Sequence, residues 1–362
     1  MIGFYRVWAI NAALLIGLMA GSSPPFVATG VATQPEPATQ TERVSQTQRL
    51  MGVPWTIVVY AETAAAGRAA IAAGFAEVAR LERILSDYDP ESELSRLSAL
   101  APTADPQPVS ADLWRVLEHA VEFRDATDGA FDPTVGPLTS LWRQARRTGR
   151  LPLSAKLAAA REAVGPEALR LAPDAQAVLL TRPGMRLDLG GIGMGYAVDR
   201  VIEALGRHGI AAAMVDASGD IAVSAAPPGS TGWKIMVAPL RAGVASDTGP
   251  VPDEYLLLSH AAVTTSGDAF QAVEIDGRRY SHIVDPRTGL GVAGPAAVTV
   301  VAQDCTTADA LATAASVLGP EEAPAVIACS PGCAARFIWM ENGQFHHSQT
   351  TGWPSQAAQP PR

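Results

Sequence analysis

Two oxygen-bearing side chains stand four residues apart near the start of a helix-forming stretch, "DCTTADALATAASVLG" (Asp304–Gly319). Asp309 and Thr313 at that spacing stack on one helix face, where their oxygens suit a hard cation such as Mg²⁺. The same pair also suits a plainer role, an acid complementing a helix dipole and a hydroxyl bonding back to its own helix. A second candidate is the stretch "RLDLGGIGMGYAVDRV" (Arg186–Val201), in which glycines stand at 190, 191, 193 and 195 between an apolar segment and a helix. Such a junction gathers free backbone N–H groups at a helix N-terminus, where a phosphate can approach main chain closely. Its G-x-G-x-G spacing departs from the dinucleotide fingerprint G-x-G-x-x-G. Spacing alone therefore favours a tight turn that packs helix on strand.

His282 is followed three residues later by Asp285 in "SHIVDPRTG", and a histidine there could take a proton from a hydroxyl. Asp285 reads as the organiser of the D-P-R-T-G turn. Asp188 lies inside the apolar run "RLDLGG", where a carboxylate needs a hydrogen-bonding partner. Asp132 lies between a glycine-containing turn and a proline-initiated helix in "TDGAFDPTVGPLTSLW".

The elements that must carry these groups mix helices and strands without strict alternation, which favours an α+β fold over a doubly wound parallel sheet. An opening strand is expected in "MGVPWTIVVYAE", an amphipathic helix over about 64–85 and a helix capped by Ser110 running to about Ala126. Short strands are expected at 177–181 and 185–189, with helices at about 196–208 and 307–318. Most of the remainder, from "AAMVDAS" to "ARFIWMEN", is strand-like. The chain has 362 residues, 48% of them hydrophobic, enough for a sizeable core. Its net charge of −9 excludes a general nucleic-acid binder, which needs a basic surface.

Residues 1–22 pair Arg6 with the apolar run "VWAINAALLIGLMAG", which reads as a secretory signal or an uncleaved N-terminal membrane anchor. No twin arginine precedes the run and no cysteine follows it, against Tat export and a lipid anchor. The body is therefore expected outside the cytoplasm. Residues 23–48 read as a Pro/Thr/Gln-rich linker, 49–349 as the body and 350–362 as a disordered tail. Cys329 and Cys333 bracket "SPG" and could form a local disulfide or remain free thiols.

Taken in order, Met-Gly in the opening strand, "SDYDPESELSR", "GAFDPTVGPL", "LDLGGIGMGYAVD", "TSGD", "SHIVDPRTG" and "ADALAT" resemble the motif series of the ApbE family, FAD:protein FMN transferases of the bacterial periplasm. The resemblance spans roughly 50–345. It implies a compact, two-lobed α+β body related to the T-fold, with mixed and antiparallel sheets and a cleft for FAD. It also implies Mg²⁺-dependent transfer of FMN from FAD to a Ser or Thr hydroxyl of an acceptor bearing a flavinylation motif, a membrane redox subunit, with release of AMP. Carried onto this chain, the metal donors are Asp309, Thr313 and the main-chain carbonyl of Gly191, and His282 and Asp309 are catalytic. The cofactor contacts are Met51, Tyr88, Ala130, Phe131, Asp132, Asp188, Met194 and Ile283. Met194 is a departure, because the family often carries a lysine or another long polar side chain there, and a thioether neutralises no phosphate. "ASGD" in place of Gly-Gly-Asp and Ala269 in place of a tyrosine are smaller departures. They leave two alternatives: a Mg²⁺-dependent FAD pyrophosphatase giving FMN and AMP, and a non-catalytic flavin-binding relative.

Overall fold

The computed structural model describes residues 41–237, 254–267, 272–293, 296–341 and 344–354. The expected signal or anchor (1–22), residues 23–40 of the expected linker, Ala269 and residues 355–362 of the expected tail fall outside these residues.

The chain opens with a hairpin of β1 (Glu42–Leu50) and β2 (Val53–Ala61), followed by helices α1 (Ala64–Leu85) and α2 (Glu93–Ala99). Strand β3 (Gln107–Pro108) precedes helices α3 (Ala111–Ala126), α4 (Gly136–Thr148) and α5 (Ser154–Glu162), and then come β4 (Leu169–Ala172) and β5 (Ala177–Leu180). Helix α6 (Gly193–Arg207) leads into β6 (Ala212–Ala217), β7 (Asp220–Val223), β8 (Trp233–Val237), β9 (Glu254–Leu258) and β10 (Ala261–Gly267). After β11 (Ala272–Ile275), β12 (Arg278–Val284), β13 (Gly291–Ala293) and β14 (Ala296–Ala302) come helix α7 (Cys305–Ala328) and strands β15 (Ala334–Glu341) and β16 (Gln344–Gln349).

The main sheet runs β1-β2-β6-β7-β10-β14-β15-β16 with every neighbouring pair antiparallel. Both of its faces are covered, which is why β2 reads as a nearly unbroken apolar run. Ile57 and Val59 point into a core shared with α1, α6 and α7, while Val58 between them joins Trp233, Ile235 and Leu256 of the β8–β9 hairpin on the other face. A separate core joins α4 and α5 to β11 and β12 through Leu138, Trp142, Ala160, Tyr280 and Val284. Strand β12 touches both α4 and α7 and so joins this core to the main one. The α+β expectation holds.

Helices α1 and α3 lie where sequence periodicity puts them, and Ser110 caps α3 by accepting from Leu113 N at 3.3 Å. Elsewhere the expectations need correction. The linker call extends too far, because residues 42–48 pair with β2 as an edge strand whose mostly polar side chains hide its period. No strand forms at 185–189. Leu187 N donates to Ser98 Oγ of α2 and Asp188 N to the Pro133 carbonyl, so these bonds and one isolated bridge between Arg186 and Val135, rather than a ladder, hold this segment. The tail call also starts too early. Trp353 is buried against the β8–β9 hairpin and donates from Nε1 to Glu254 at 2.8 Å. Cys305, Cys329 and Cys333 are all free thiols.

Candidate active site

Helices α6 and α7 cap one another. The N-cap position of α6, Ile192, has no oxygen to offer, and Asp309 from α7 supplies one, accepting from Gly195 N at 3.1 Å. In return Asp199 of α6 accepts from Cys305 N, Thr306 N and the Thr306 hydroxyl at 2.6–2.8 Å, in the first turn of α7. This exchange brings two positive helix ends and two buried carboxylates to one place.

The glycines of the loop permit that approach. A Cβ on Gly195 would lie 2.3 Å from the Cys305 carbonyl and 2.8 Å from Asp309 Cβ. One on Gly191 would lie 2.7 Å from Thr313 Oγ1. Asp309, Thr313 and Gly191, named from spacing and resemblance, therefore do converge. Asp220 on β7 and Thr264 on β10 adjoin them, and sequence reasoning assigned neither, although "ASGD" signalled an acid closing a turn.

Burial pushes the Asp309 carboxyl well above the carboxylate range, and the neighbouring Asp220 and Asp199 push it further. Burial likewise raises Asp220 to about 7, against the Thr264 hydrogen bond, and Asp199 to about 6, against its Thr306, Cys305 N and Thr306 N bonds. Among the described residues no basic side chain offsets the charge of Asp309 or Asp220. A divalent cation would relieve that repulsion, so the residues present fit one. Among those residues no three His, Cys, Asp or Glu side chains form a ready cage. One carboxylate, one hydroxyl and a main-chain carbonyl suit Mg²⁺, which keeps several sites for water or phosphate oxygens.

Asp188 anchors the other side of the glycine loop. Its Oδ1 accepts from Gly190 N at 2.8 Å, and its Oδ2 accepts from Thr139 Oγ1 at 2.6 Å and Arg143 Nη2 at 3.0 Å. Its partners are thus protein groups, among them an arginine that sequence reasoning missed. Tyr88, on the turn between α1 and α2, lies with its ring centroid 4.1 Å from the Arg143 guanidinium carbon. Asp132 accepts from Thr134 N and Oγ1 and so organises the entry to α4, with burial raising its carboxyl pKa. Ala130 and Phe131 are buried beside it. Ile283 is buried on β12, whereas His282, next to it, is half-buried and points to the other face of the strand. Met51 occupies the β1–β2 turn at φ +48° with its side chain against the main core. Met194 is half-buried in the first turn of α6 and packs on the same core.

A crevice of about 770 Å³ is lined by Arg124, Asp128, Asp132, Arg161 and Arg287 among others. It reaches the cluster only at Asp132 and includes none of Tyr88, Asp188, Asp309 and Thr313.

The sequence profile of the ApbE family matches residues 51–337, which takes in every site residue named above. The chain belongs to the ApbE family. Among its relatives, the FAD:protein FMN transferase of Treponema pallidum (strain Nichols) is 32% identical over 312 residues, covering 82% of this chain and 84% of the relative. That of Vibrio cholerae serotype O1 is 34% identical over 246 residues, covering 67% and 71%. The solved structure of the flavin transferase ApbE from Vibrio cholerae superposes with a TM-score of 0.76 at 28% identity, over 86% of this chain and 98% of that one. The ApbE protein of Thermotoga maritima superposes with a TM-score of 0.75 at 29% identity, over 87% of this ApbE-family chain and all of that one.

Proposed function

We propose that this protein transfers FMN from FAD to a Ser or Thr hydroxyl of an exported or membrane redox protein, releasing AMP, in a Mg²⁺-dependent reaction outside the cytoplasm. The observation that carries this reading is the reciprocal capping of α6 and α7, which sets uncompensated carboxylates beside a glycine loop at two helix N-termini. Membership of a family whose relatives are named FAD:protein FMN transferases supports the choice of FAD and of a protein acceptor.

Asp309, Thr313 and the carbonyl of Gly191 would hold the ion. When bound, Mg²⁺ neutralises the pyrophosphate and stabilises the departing AMP. The chain's own residues do the rest. The glycine loop lets phosphate oxygens reach main-chain N–H groups. Asp188 keeps that loop in register through Gly190 N. Met51, Tyr88, Ala130, Phe131, Asp132, Met194 and Ile283 line the dinucleotide cleft. His282 takes the proton from the acceptor hydroxyl at an imidazole nitrogen as the new P–O bond forms and the pyrophosphate P–O bond to AMP breaks.

The test mixes the protein without its first 40 residues, FAD, Mg²⁺ and an acceptor carrying a family-type flavinylation motif. AMP release and a fluorescent acceptor band on a denaturing gel, both lost in Asp309→Ala, are the expected result. AMP with only free FMN would make the protein a pyrophosphatase. FAD binding without AMP would leave a flavin-binding relative.

A further inference from the structure

Resting on the FAD reading above, we infer that Arg143 is a positioning residue that holds Tyr88 as a preformed stacking platform for a flat heteroaromatic ring and ties it to the glycine loop. Tyr88 is 74% exposed, an unusual state for a tyrosine on a tightly bonded turn. Its N–H and that of Asp89 both donate to Ser86 Oγ, Glu91 N donates to Asp89 Oδ1, and Ser92 Oγ donates to the Ser86 carbonyl. The backbone is thus fixed while the ring stands clear of the body. One side of the ring is backed by the guanidinium of Arg143, whose carbon lies 4.1 Å from the ring centroid.

Arg143 is itself held by two carboxylates from separate segments. It donates to Asp87, next to Tyr88, and to Asp188 Oδ2 at 3.0 Å. Asp188 also accepts from Gly190 N, beside the Gly191 that abuts Thr313. One side chain of α4 therefore connects the exposed ring to the loop at the candidate ion site. A ring held in advance stacks without the ordering cost that a free side chain would incur. A cation on one face leaves the other as the available stacking surface. The ligand is a planar heteroaromatic ring, and either end of FAD could supply it, the purine or the isoalloxazine.

The experiment measures dissociation constants for FAD, FMN and ADP without divalent cation, by flavin fluorescence for the first two and by competition for ADP. Tyr88→Leu is expected to weaken FAD at least about fivefold, the lower range for an aromatic–base stack. Arg143→Met is expected to weaken it about three- to tenfold, the range of a partly exposed cation–π contact. Arg143→Lys, which keeps a cation behind the ring, should recover most of that loss. The double variant Tyr88→Leu/Arg143→Met should lose no more than the larger single loss, whereas an arginine with only a structural role would add its own. A parallel loss for FMN alone assigns the flavin to the platform, and for ADP alone the purine. Should Arg143→Met not fold, Asp87→Asn replaces it in the cycle. Wild-type binding with Tyr88→Leu unchanged, or additive losses, overturns this inference and leaves the proposed function standing. A wild-type protein that binds none of the three ligands overturns both.

Discussion

Removing divalent cation and raising the pH from 5 to 8 should destabilise this protein, against the usual expectation that buried carboxylates lose stability in acid. The sign follows from the direction of the shifts. Asp220 has its pKa raised from 3.8 to about 7 by burial, and Asp199 from 3.8 to about 6 by the same cause. Between the unfolded and folded values the native state holds protons that the unfolded chain has released, so stability is present at low pH and falls as pH rises through the folded values. At about 1.4 kcal/mol per pKa unit, the roughly two units of the Asp220 shift that lie between pH 5 and about 7 amount to about 3 kcal/mol. Asp199 and Asp309 share the same repulsion, so their contributions overlap and about 3 kcal/mol is the total expected. For a body of this size that lowers the melting temperature by roughly 6 °C, at about 2 °C per kcal/mol.

Glu77 and Asp112 have lowered pKa values, and their stabilisation is already complete near pH 5, so they do not obscure the window. Asp87 and Asp132 are raised and add to the fall, so a variant must isolate the cluster. Asp220→Asn keeps a hydrogen-bonding partner for Thr264 and should flatten most of the pH dependence, leaving the metal-free variant more stable than wild type at pH 8. The assay is thermal denaturation in a chelator across pH 5–8, repeated with Mg²⁺, which should restore wild type at pH 8 but not Asp309→Asn. A metal-free wild type equally stable at pH 5 and pH 8, with Asp220→Asn tracking it, would refute the charge argument.

Two further substitutions follow from backbone geometry. Met51 and Gly52 both have positive φ, +48° and +79°, as the two-residue turn of a type I′ hairpin requires, and asparagine suits the first position far better than methionine. Met51→Asn should gain about 0.5–1 kcal/mol in urea denaturation and, on the proposed reading of Met51 as a cofactor contact, weaken FAD binding. Unchanged FAD affinity would count against that role. Gly195→Ala would push a methyl group to 2.3 Å from the Cys305 carbonyl and should cost about 1–3 kcal/mol or more, with loss of the Mg²⁺-dependent rise in melting temperature. Calorimetry with and without Mg²⁺ reads both effects.

Spacing made part of this site legible. Asp309 and Thr313 share a helix face because of the four-residue interval, and the bare loop beside them signalled close backbone approach. What sequence could not give was the other half of the exchange. Asp199 sits on the buried side of α6, and only the crossing of α6 with α7 shows that it caps a helix more than a hundred residues away. Glycines read as helix breakers, so α6 is expected to begin at Tyr196; it begins at Gly193, and in its first turn Gly195 lies against Cys305 and Asp309 of α7 where nothing larger fits. Arg143 is invisible for a similar reason. On a surface-like helix it reads as a solvated charge, and its two carboxylate partners arrive from loops 56 and 45 residues away. β1 was lost because a polar edge strand carries almost no hydrophobic period.

The distribution of charge links stability to function. On the proposed FAD reading, a dinucleotide would bring negative phosphates to a place already holding Asp309, Asp220 and Asp199, and the first turn of α6 presents Met194 rather than a cation. Arg143, on the loop's far side, is committed to Asp87 and Asp188. The two helix N-termini contribute roughly half a positive charge each, and each is already met by the other's aspartate. Among the described residues no basic side chain offsets Asp309 or Asp220, so on the proposed reading a divalent cation would supply positive charge for the pyrophosphate. Protons relieve the carboxylates at low pH but leave them unable to hold an ion. A divalent cation relieves them at neutral pH and still has coordination sites for phosphate oxygens. The titration that destabilises the metal-free protein would thus also ready the proposed site for an ion, so the strain carried by the fold would be the affinity held for the cation.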